Sequence, residues 1–460
     1  MSRAKLFIEN FLVYGLVGVI GKAIPLIMLP IITRLVPDTS IYGISDLLRV
    51  LVSFGSAFAV LGMYDAMFRM FFDDEDKDHK IAVCSSSLFV VLLSSTLTGL
   101  FIVIFSSELS KLLFSTDKYQ IWIMLMGIQT TISSLGSIIM APTRMQNKRR
   151  VFVIMNIVGP VISYSISVAF ILLVDPLFGL IIGGFSSALF RLLVFWKLNY
   201  SWFSFKRINT RLIKDMMKIG VPLIPTFLIY WIFSSFDRIM ISNMIGTSYN
   251  GIYAVGARMA QVSQLIYTGF VGGWSYFNYS TMKDKDHPEI VSMVFEYLGV
   301  ISMLTIILIM PLIPLVFKIL FTGDYVTGHV VTPYLFLSPL LLMLFQTSAS
   351  QLLIVKKSYW VTISLAVGAG LNVVLNYFLI PILGIEGAAI ATLLGYLSSV
   401  ITVSVLASMK KLLKIHWKFL VVSGITTVFF LIKSLVKFKY NYTEHSVIYM
   451  SYGYFAFLQG

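Results

Sequence analysis

Apolar residues recur in runs of about 20, each long enough to cross about 30 Å of hydrocarbon as a helix rising 1.5 Å per residue. The runs fall at roughly 9–33, 41–67, 81–105, 120–143, 151–174, 178–198, 218–242, 250–276, 290–314, 333–355, 359–380 and 385–408. A further run covers 417–436, and a shorter apolar stretch at 446–459 ends the sequence. No stretch between them is long enough for a soluble domain. The pattern predicts an all-α integral membrane protein. The first run is too long, and followed by too many others, to be a cleaved signal peptide.

The connections between runs alternate in charge. One set carries Arg3 and Lys5, then Arg69, Lys77 and Lys80, then Arg144 and Lys148 to Arg150. It continues with six basic residues from Lys197 to Lys218, then Lys283 and Lys285, Lys356 and Lys357, and four from Lys410 to Lys418. The other set has only Arg34, Lys111, Lys118, Arg238, Lys318, Lys433, Lys437 and Lys439. Positive charge collects on the cytoplasmic side, so 23 against 8 places the first set, and the N-terminus, in the cytoplasm. The chain is therefore expected to be multi-pass, with its N-terminus inside. The lysines after residue 432 break the alternation at the C-terminal end.

Composition agrees. The chain is 58% hydrophobic and 12% charged, against about 25% charged in soluble domains. The net charge of +14 is then loop charge, and no nucleic-acid partner is expected. One cysteine, Cys84, permits no intramolecular disulfide. The five histidines are scattered, without metal-ligand spacing. The acidic run Asp73 to Asp76 lacks the oxygen spacing and central glycine of a calcium loop and reads as a solvated linker.

The chain repeats itself. Thr39-Ser40-Ile41-Tyr42-Gly43 opens span 2 and Thr247-Ser248-Tyr249-Asn250-Gly251 opens span 8, each followed by an arginine, Arg49 or Arg258. Pro176-Leu177-Phe178-Gly179 and Pro381-Ile382-Leu383-Gly384 open spans 6 and 12, and Lys148-Arg149-Arg150 and Lys356-Lys357 precede spans 5 and 11. The matches lie 205–209 residues apart, which is six spans. An even-numbered repeat keeps its orientation, so it predicts two six-helix bundles related by a pseudo-two-fold axis along the membrane normal. That build places a substrate site between the halves. The expected units are 1–205, 206–410 and an accessory C-terminal segment, 411–460.

Ionisable residues inside spans are costly and should face a cavity or a partner. The candidates are Lys22, Asp46, Arg49, Asp65, Arg191, Asp237 and Arg258, with Arg34 and Arg144 near span ends. Arg49 and Arg258 each lie about 12 Å inside the outer face, and Lys22 about 20 Å from the inner one. Arg258, Gln261 and Gln264 share a face, as do Asp46, Arg49, Ser53 and Ser56. This predicts a wet cationic groove suited to an anion with a polar body. The competing reading pairs Asp46 with Arg49, and Asp65 with Arg69, as local structural contacts; for the second pair that reading is preferred.

A second constellation is more polar than basic. Asp237 lies on span 7, Asn372 and Asn376 share a face of span 11, and Thr392 lies on span 12. A carboxylate, two amide oxygens and a hydroxyl make a hard-cation cage. The alternative is Asp237 paired with Arg238 and the asparagines acting as interhelical glue. Prolines 25, 30, 160, 222, 225, 311, 314 and 339 fall inside spans and permit bends.

An ordered set of segments resembles the polysaccharide-transporter branch of the MOP superfamily. They are Phe11 to Arg34 with Pro25 and Pro30, Tyr42-Gly43, Gly62-Met63-Tyr64-Asp65-Ala66-Met67-Phe68-Arg69, Gly220-Val221-Pro222-Leu223-Ile224-Pro225, Asp237-Arg238, and Gly251-Ile252-Tyr253-Ala254-Val255. The resemblance covers about residues 5–410. It implies two bundles that alternate access and move an undecaprenyl-pyrophosphate-linked oligosaccharide to the outer leaflet. The pyrophosphate would be held by cavity cations, among them Lys22, Arg34, Arg49, Arg191 and Arg258, with Gln261 beside them. The related lipid II flippases use arginines on spans 1, 2 and 8. They also bind sodium with an acid on span 7, Asn and Asp on span 11 and Thr on span 12. Asp237, Asn372, Asn376 and Thr392 fall on those helices, with Asn376 where the second acid would be. No cofactor is implied beyond a sodium or proton coupling ion. The expected partners are the lipid-linked sugar, membrane lipids and polysaccharide polymerase machinery, and the expected state is a monomer.

Two other functions compete. A drug/cation antiporter of the same superfamily would want a net acidic cavity. A membrane polymerase or ligase would want a large outer loop with an acid–base pair, and the longest, 315–332, offers only Asp324 and His329. There is no nucleotide-binding glycine-rich loop.

Overall fold

The computed structural model describes residue 21, residues 23–416, and residues 419, 421 and 424. Lys22, the start of the first span and the two runs expected after residue 416 lie outside the described residues. Among these residues every regular element is helical.

Helix α1 (Ala23–Leu35) is the described part of the first span. The second span comprises α2 (Thr39–Val60) and α3 (Met63–Met70). Then come α4 (Lys77–Ile104), α5 (Ser106–Phe114), α6 (Gln120–Met145), α7 (Arg149–Leu173) and α8 (Pro176–Asn199). The second half opens with α9 (Thr210–Gly220), α10 (Ile224–Trp231), α11 (Asp237–Ile245), α12 (Thr247–Ala260) and α13 (Ser263–Ser280). It ends with α14 (His287–Ile309), α15 (Ile313–Leu320), α16 (Thr332–Ile354), α17 (Ser358–Leu383) and α18 (Ile385–Met409).

Local chemistry fixes several boundaries. The Asp38 carboxylate accepts from Ser40 N at 2.8 Å and starts α2, and Asp175 accepts from Phe178 N at 2.9 Å and starts α8 with Pro176 in its first turn. Pro160 and Pro339 stay inside continuous helices, whereas Val221–Leu223, with Pro222, tightens into a 3₁₀ turn.

The structure departs from the expected spans in four places. Span 2 breaks where Leu61 and Gly62 turn left-handed, and span 8 breaks at Gln261 and Val262 between α12 and α13. Span 7 is interrupted by a π-helical turn, Ile232–Phe236, immediately before Asp237. The connection expected as a loop at 315–332 is largely α15 and a 3₁₀ segment, Gly323–Val330. Helix α5, its counterpart in the first half, begins 207 residues earlier (Ser106 against Ile313).

The outward-facing side chains are those of a membrane protein. Along α14, Met293, Tyr297, Ile301, Leu304 and Leu308 form an exposed stripe at helical spacing, with Leu308 70% exposed. Ten described helical segments are long and apolar enough to span, with α1 as a shorter one. The protein is a multi-pass membrane protein.

Helices α2, α4, α6, α7 and α8 pack on one another; α10 to α14 and α16 to α18 form the second group. With no water to expel from between helices in lipid, close backbone approach and hydrogen bonds hold such groups together. The halves meet where the repeat is strongest. A Cβ added to Gly43 would lie 2.0 Å from Thr247 O, and one added to Gly251 would lie 1.9 Å from Thr39 O. The contact is reciprocal between α2 and α12, which places the pseudo-axis at this crossing. Asn250 Nδ2, fully buried, donates to Gly43 O at 2.9 Å. The crossing lies at the face with few basic connections, here called the sparse face. At the opposite, basic face, Gly62 and Gly220 touch in the same manner, a Gly62 Cβ falling 2.4 Å from Gly220 O.

Candidate functional site

Below the Gly43–Gly251 crossing, both helices turn polar side chains toward the space between the halves. By helical rise Arg49 is about 15 Å from the start of α2, and Arg258 about 16 Å from the start of α12, so the two are level. Arg258 lies over the ring of Tyr42, 5.2 Å from its centre. Tyr42 is held edge-on by Tyr325, whose hydroxyl donates to Val36 O at 2.8 Å.

Asp46 is buried beside them. It does not pair with Arg49, its neighbour on the same helix. Its Oδ2 accepts from Arg238 Nη1 at 3.0 Å and its Oδ1 from Arg258 Nη2 at 3.5 Å. Both partners are on the second half, so this carboxylate ties the halves together just beneath the crossing. Arg49 has no ion pair among the described residues; its one hydrogen bond is a long one to Ser45 Oγ, 3.4 Å. The expected Asp65–Arg69 pair does not form either, and both side chains are exposed.

Two joined cavities surround these groups. One, of about 460 Å³, lies between the halves and is lined by Asp46, Arg49, Ser53, Arg238, Arg258 and Gln261. The other, of about 310 Å³, is a recess in the first half, lined by Tyr42, Arg49, Gln129, Tyr164, Arg191 and Arg258 among others. Pro25, Arg49, Tyr164 and Arg258 line both. Among the described residues four arginines face one carboxylate. Such a space carries an excess of positive charge and would favour anions, because in a low-dielectric setting that field is weakly screened.

The structure thus brings Arg49, Arg191, Arg258 and Gln261 to one cavity system. Arg34 is elsewhere: its side chain is exposed at the sparse face and its Nη2 reaches Ile319 O at 3.4 Å. Lys22 lies outside the described residues. Gln264 follows the break at Gln261–Val262 and lines neither cavity. Arg238 belongs to the site and was read from sequence only as a partner of Asp237. The signal available was an arginine beside an acid inside a span, but its partner, Asp46, is 192 residues away.

The polar constellation of the second half is assembled too. Asp237, Asn372, Asn376 and Thr392 are all buried. Asn372 Nδ2 donates to Thr392 Oγ1 at 3.1 Å, and Asn376 Nδ2 to Asn372 Oδ1 at 3.3 Å. Asp237 accepts from the Tyr253 hydroxyl and from Arg238 N at 2.8 Å. The guanidinium of Arg238 turns away to Asp46, so the simple Asp237–Arg238 ion pair is not what holds this acid. Tyr253 was missed in the sequence, where it sits in an apolar run. Asn376 Oδ1 is buried with no hydrogen-bond partner. An orphaned oxygen beside a carboxylate, an amide and a hydroxyl is a donor set that fits a hard monovalent cation. The π-helical turn before Asp237 is the kind of local widening found at functional positions.

Comparison with known proteins follows from this geometry. The family model described as polysaccharide biosynthesis protein matches residues 31–330. No curated protein matches. Among solved structures, an inward-facing multidrug resistance MATE family transporter of the MOP superfamily is similar at TM-score 0.65 and 14% identity, covering 85% of this chain and 97% of its own. The lipid II flippase MurJ in an inward closed conformation is similar at TM-score 0.60 and 15% identity, covering 88% and 92%. A MOP superfamily transporter from Pyrococcus furiosus, described as having a binding pocket of reverse polarity, is similar at TM-score 0.62 and 12% identity, covering 87% and 95%. At these identities the likeness shows the fold: two six-helix bundles in the MOP arrangement. With the family model matching well over half of its length, the chain belongs to the polysaccharide biosynthesis protein family and carries the MOP superfamily fold.

Proposed function

We propose that this protein is a flippase for undecaprenyl-pyrophosphate-linked oligosaccharide. The basic face is cytoplasmic, in a bacterial inner membrane with the N-terminus inside, and the sparse face is external. The observation that carries the reading is the pair of joined cavities, where among the described residues four arginines face one carboxylate. Arg49 and Arg258 would hold the pyrophosphate, Gln261 and Ser53 would meet sugar hydroxyls, and the lipid tail would stay in the bilayer. Moving the substrate outward requires α2 and α12 to part at Gly43 and Gly251, so Asp46 must release Arg238 and Arg258. An anion on Arg258 competes with Asp46 for it and lowers the cost of that release. The cavity chemistry disfavours a cation-drug antiporter. The longest sparse-face connection, 315–332, offers only Asp324 and His329 to a polymerase or ligase.

The buried set Asp237, Asn372, Asn376 and Thr392 would hold sodium as the coupling ion, with a single carboxylate supplying the charge. Sodium would take an Asp237 oxygen now held by Tyr253. Loss of that bond would be felt at Arg238, the next residue, and through it at Asp46. Polysaccharide polymerase machinery would receive the product, and the chain would work as a monomer.

The anion reading is tested by ligand-induced thermal stabilisation of the purified protein. Undecaprenyl pyrophosphate should raise the unfolding midpoint, and Arg49→Ala with Arg258→Ala should abolish the rise. Stabilisation by a cationic dye, with none by the pyrophosphate, would overturn it.

A further inference from the structure

Arg49, Arg191 and Arg258 line the recess in the first half, and among the described residues no carboxylate does. Arg191 makes no ion pair or hydrogen bond among the described residues. Its stem packs on α7, where the missing side chain of Gly159 makes room: a Cβ there would lie 3.3 Å from Arg191 Cδ. By helical rise Arg191 is about 22 Å along α8 from the sparse face, about 7 Å deeper than Arg49. It is therefore set apart from the pair that would take the pyrophosphate.

A second, independent group lines the same recess. Tyr42 is 1% exposed, and its hydroxyl has no hydrogen-bond partner among the described residues. A buried hydroxyl left unpaired is costly, and a bound acceptor that reached it would offset that cost. Gln129, Ser133 and Ser163 line the recess without an internal hydrogen bond among the described residues. At about 310 Å³ the space lies at the small end of ligand sites, which run from about 300 to 1,000 Å³. It suits a monosaccharide rather than a whole repeat unit.

Charge says what kind of monosaccharide. Among the described lining residues, Arg49, Arg191, Arg238 and Arg258 against Asp46 leave three positive charges in excess in the joined cavities. A pyrophosphate esterified at both ends carries one negative charge on each phosphorus. It neutralises two of the three and leaves one, and Arg191, about 7 Å deeper than Arg49 by helical rise, is the arginine left over.

We propose that this recess is a sugar subsite for an acidic monosaccharide, a uronic acid or a related sugar carboxylate. Arg191 pairs the carboxylate, and Tyr42 and Gln129 donate to ring or carboxylate oxygens. The proposal rests on the flippase reading and names the class of sugar it moves. A planar guanidinium matches a carboxylate through two parallel hydrogen bonds, so lysine is a poor substitute.

The test uses the full chain in proteoliposomes and two undecaprenyl-pyrophosphate disaccharides that differ only in glucuronic acid or glucose at one position. The unmodified protein should move the acidic lipid at least about tenfold faster. Arg191→Gln should erase that preference by slowing the acidic lipid at least about fivefold more than the neutral one, and Arg191→Lys should restore the preference only in part. Unfolding midpoints for each variant establish that the fold survives. Equal movement of both lipids by the unmodified chain, or an equal loss for both in Arg191→Gln, would overturn the subsite and leave the flippase reading standing. Movement of neither lipid by the unmodified chain would overturn both.

Discussion

Replacing Gly43 by alanine tests whether the α2–α12 crossing is the external gate. The new Cβ would sit 2.0 Å from Thr247 O, where ordinary contact begins at 3.4 Å, so the helices must part locally by about 1.4 Å. The atom it meets is backbone, which has no rotamer to move aside. Overpacking of this kind costs about 1–3 kcal/mol. Alanine also favours a helix over glycine by about 1 kcal/mol, but that gain is common to gate-closed and gate-open states and cancels between them. The closed state therefore loses about 1–3 kcal/mol relative to the open one, a shift of about 5–150-fold in their ratio. Gly251→Ala, 1.9 Å from Thr39 O, should act alike. Gly136→Ala and Gly370→Ala carry the same helix gain with nothing within 4 Å, and are the controls. Spin labels on the exposed sparse-face residues Lys118 and Lys318, one on each half, report the distance across the gate by pulsed electron resonance. The gate variants should populate a longer distance and the controls should not. Unchanged distances in both gate variants would refute the crossing as a gate.

Three further perturbations separate the parts of the network. Asp46→Asn leaves Arg238 and Arg258 without their shared carboxylate; removing one partner of a buried pair costs about 3–5 kcal/mol, so the same label pair should shift toward the open distance and the unfolding midpoint should fall. Tyr253→Phe removes the donor to Asp237 and should cost about 1–3 kcal/mol in potassium buffer, with sodium restoring part of the loss in midpoint. Asp237→Asn should abolish any difference between sodium and potassium, and a sodium effect that survives it would place the ion elsewhere.

Much of the architecture was legible because membrane spans advertise themselves. Each described run longer than about 20 residues is helical, although those at 41–67, 218–242 and 250–276 are broken into shorter helices, and the Thr39–Gly43 and Thr247–Gly251 pair marked the place where the halves cross. Helices α5 and α15, of 9 and 8 residues, were too short to stand out from flanking apolar sequence. The break at Leu61-Gly62 is a backbone conformation that hydrophobicity does not encode, although Gly62 was its one hint. Within the site, Arg49 and Arg258 were legible as charges with no acid to cancel them. The role of Asp46 was not: helical spacing offers it Arg49, whereas tertiary contact gives it arginines 192 and 212 residues away. Arg34 failed for the opposite reason, since its position near a span end does not say which way a long side chain turns.

The central claim is that arginines in excess of carboxylates between the two halves carry a lipid-linked pyrophosphate across the membrane. The direct test is outward movement of a fluorescent undecaprenyl-pyrophosphate oligosaccharide in proteoliposomes, comparing the unmodified chain with Arg49→Ala and Arg258→Ala. Movement by the unmodified chain that falls at least about tenfold in each variant, with unfolding midpoints retained, is the predicted result. No movement by the unmodified chain, together with exchange of a cationic dye for sodium or protons, would contradict the account.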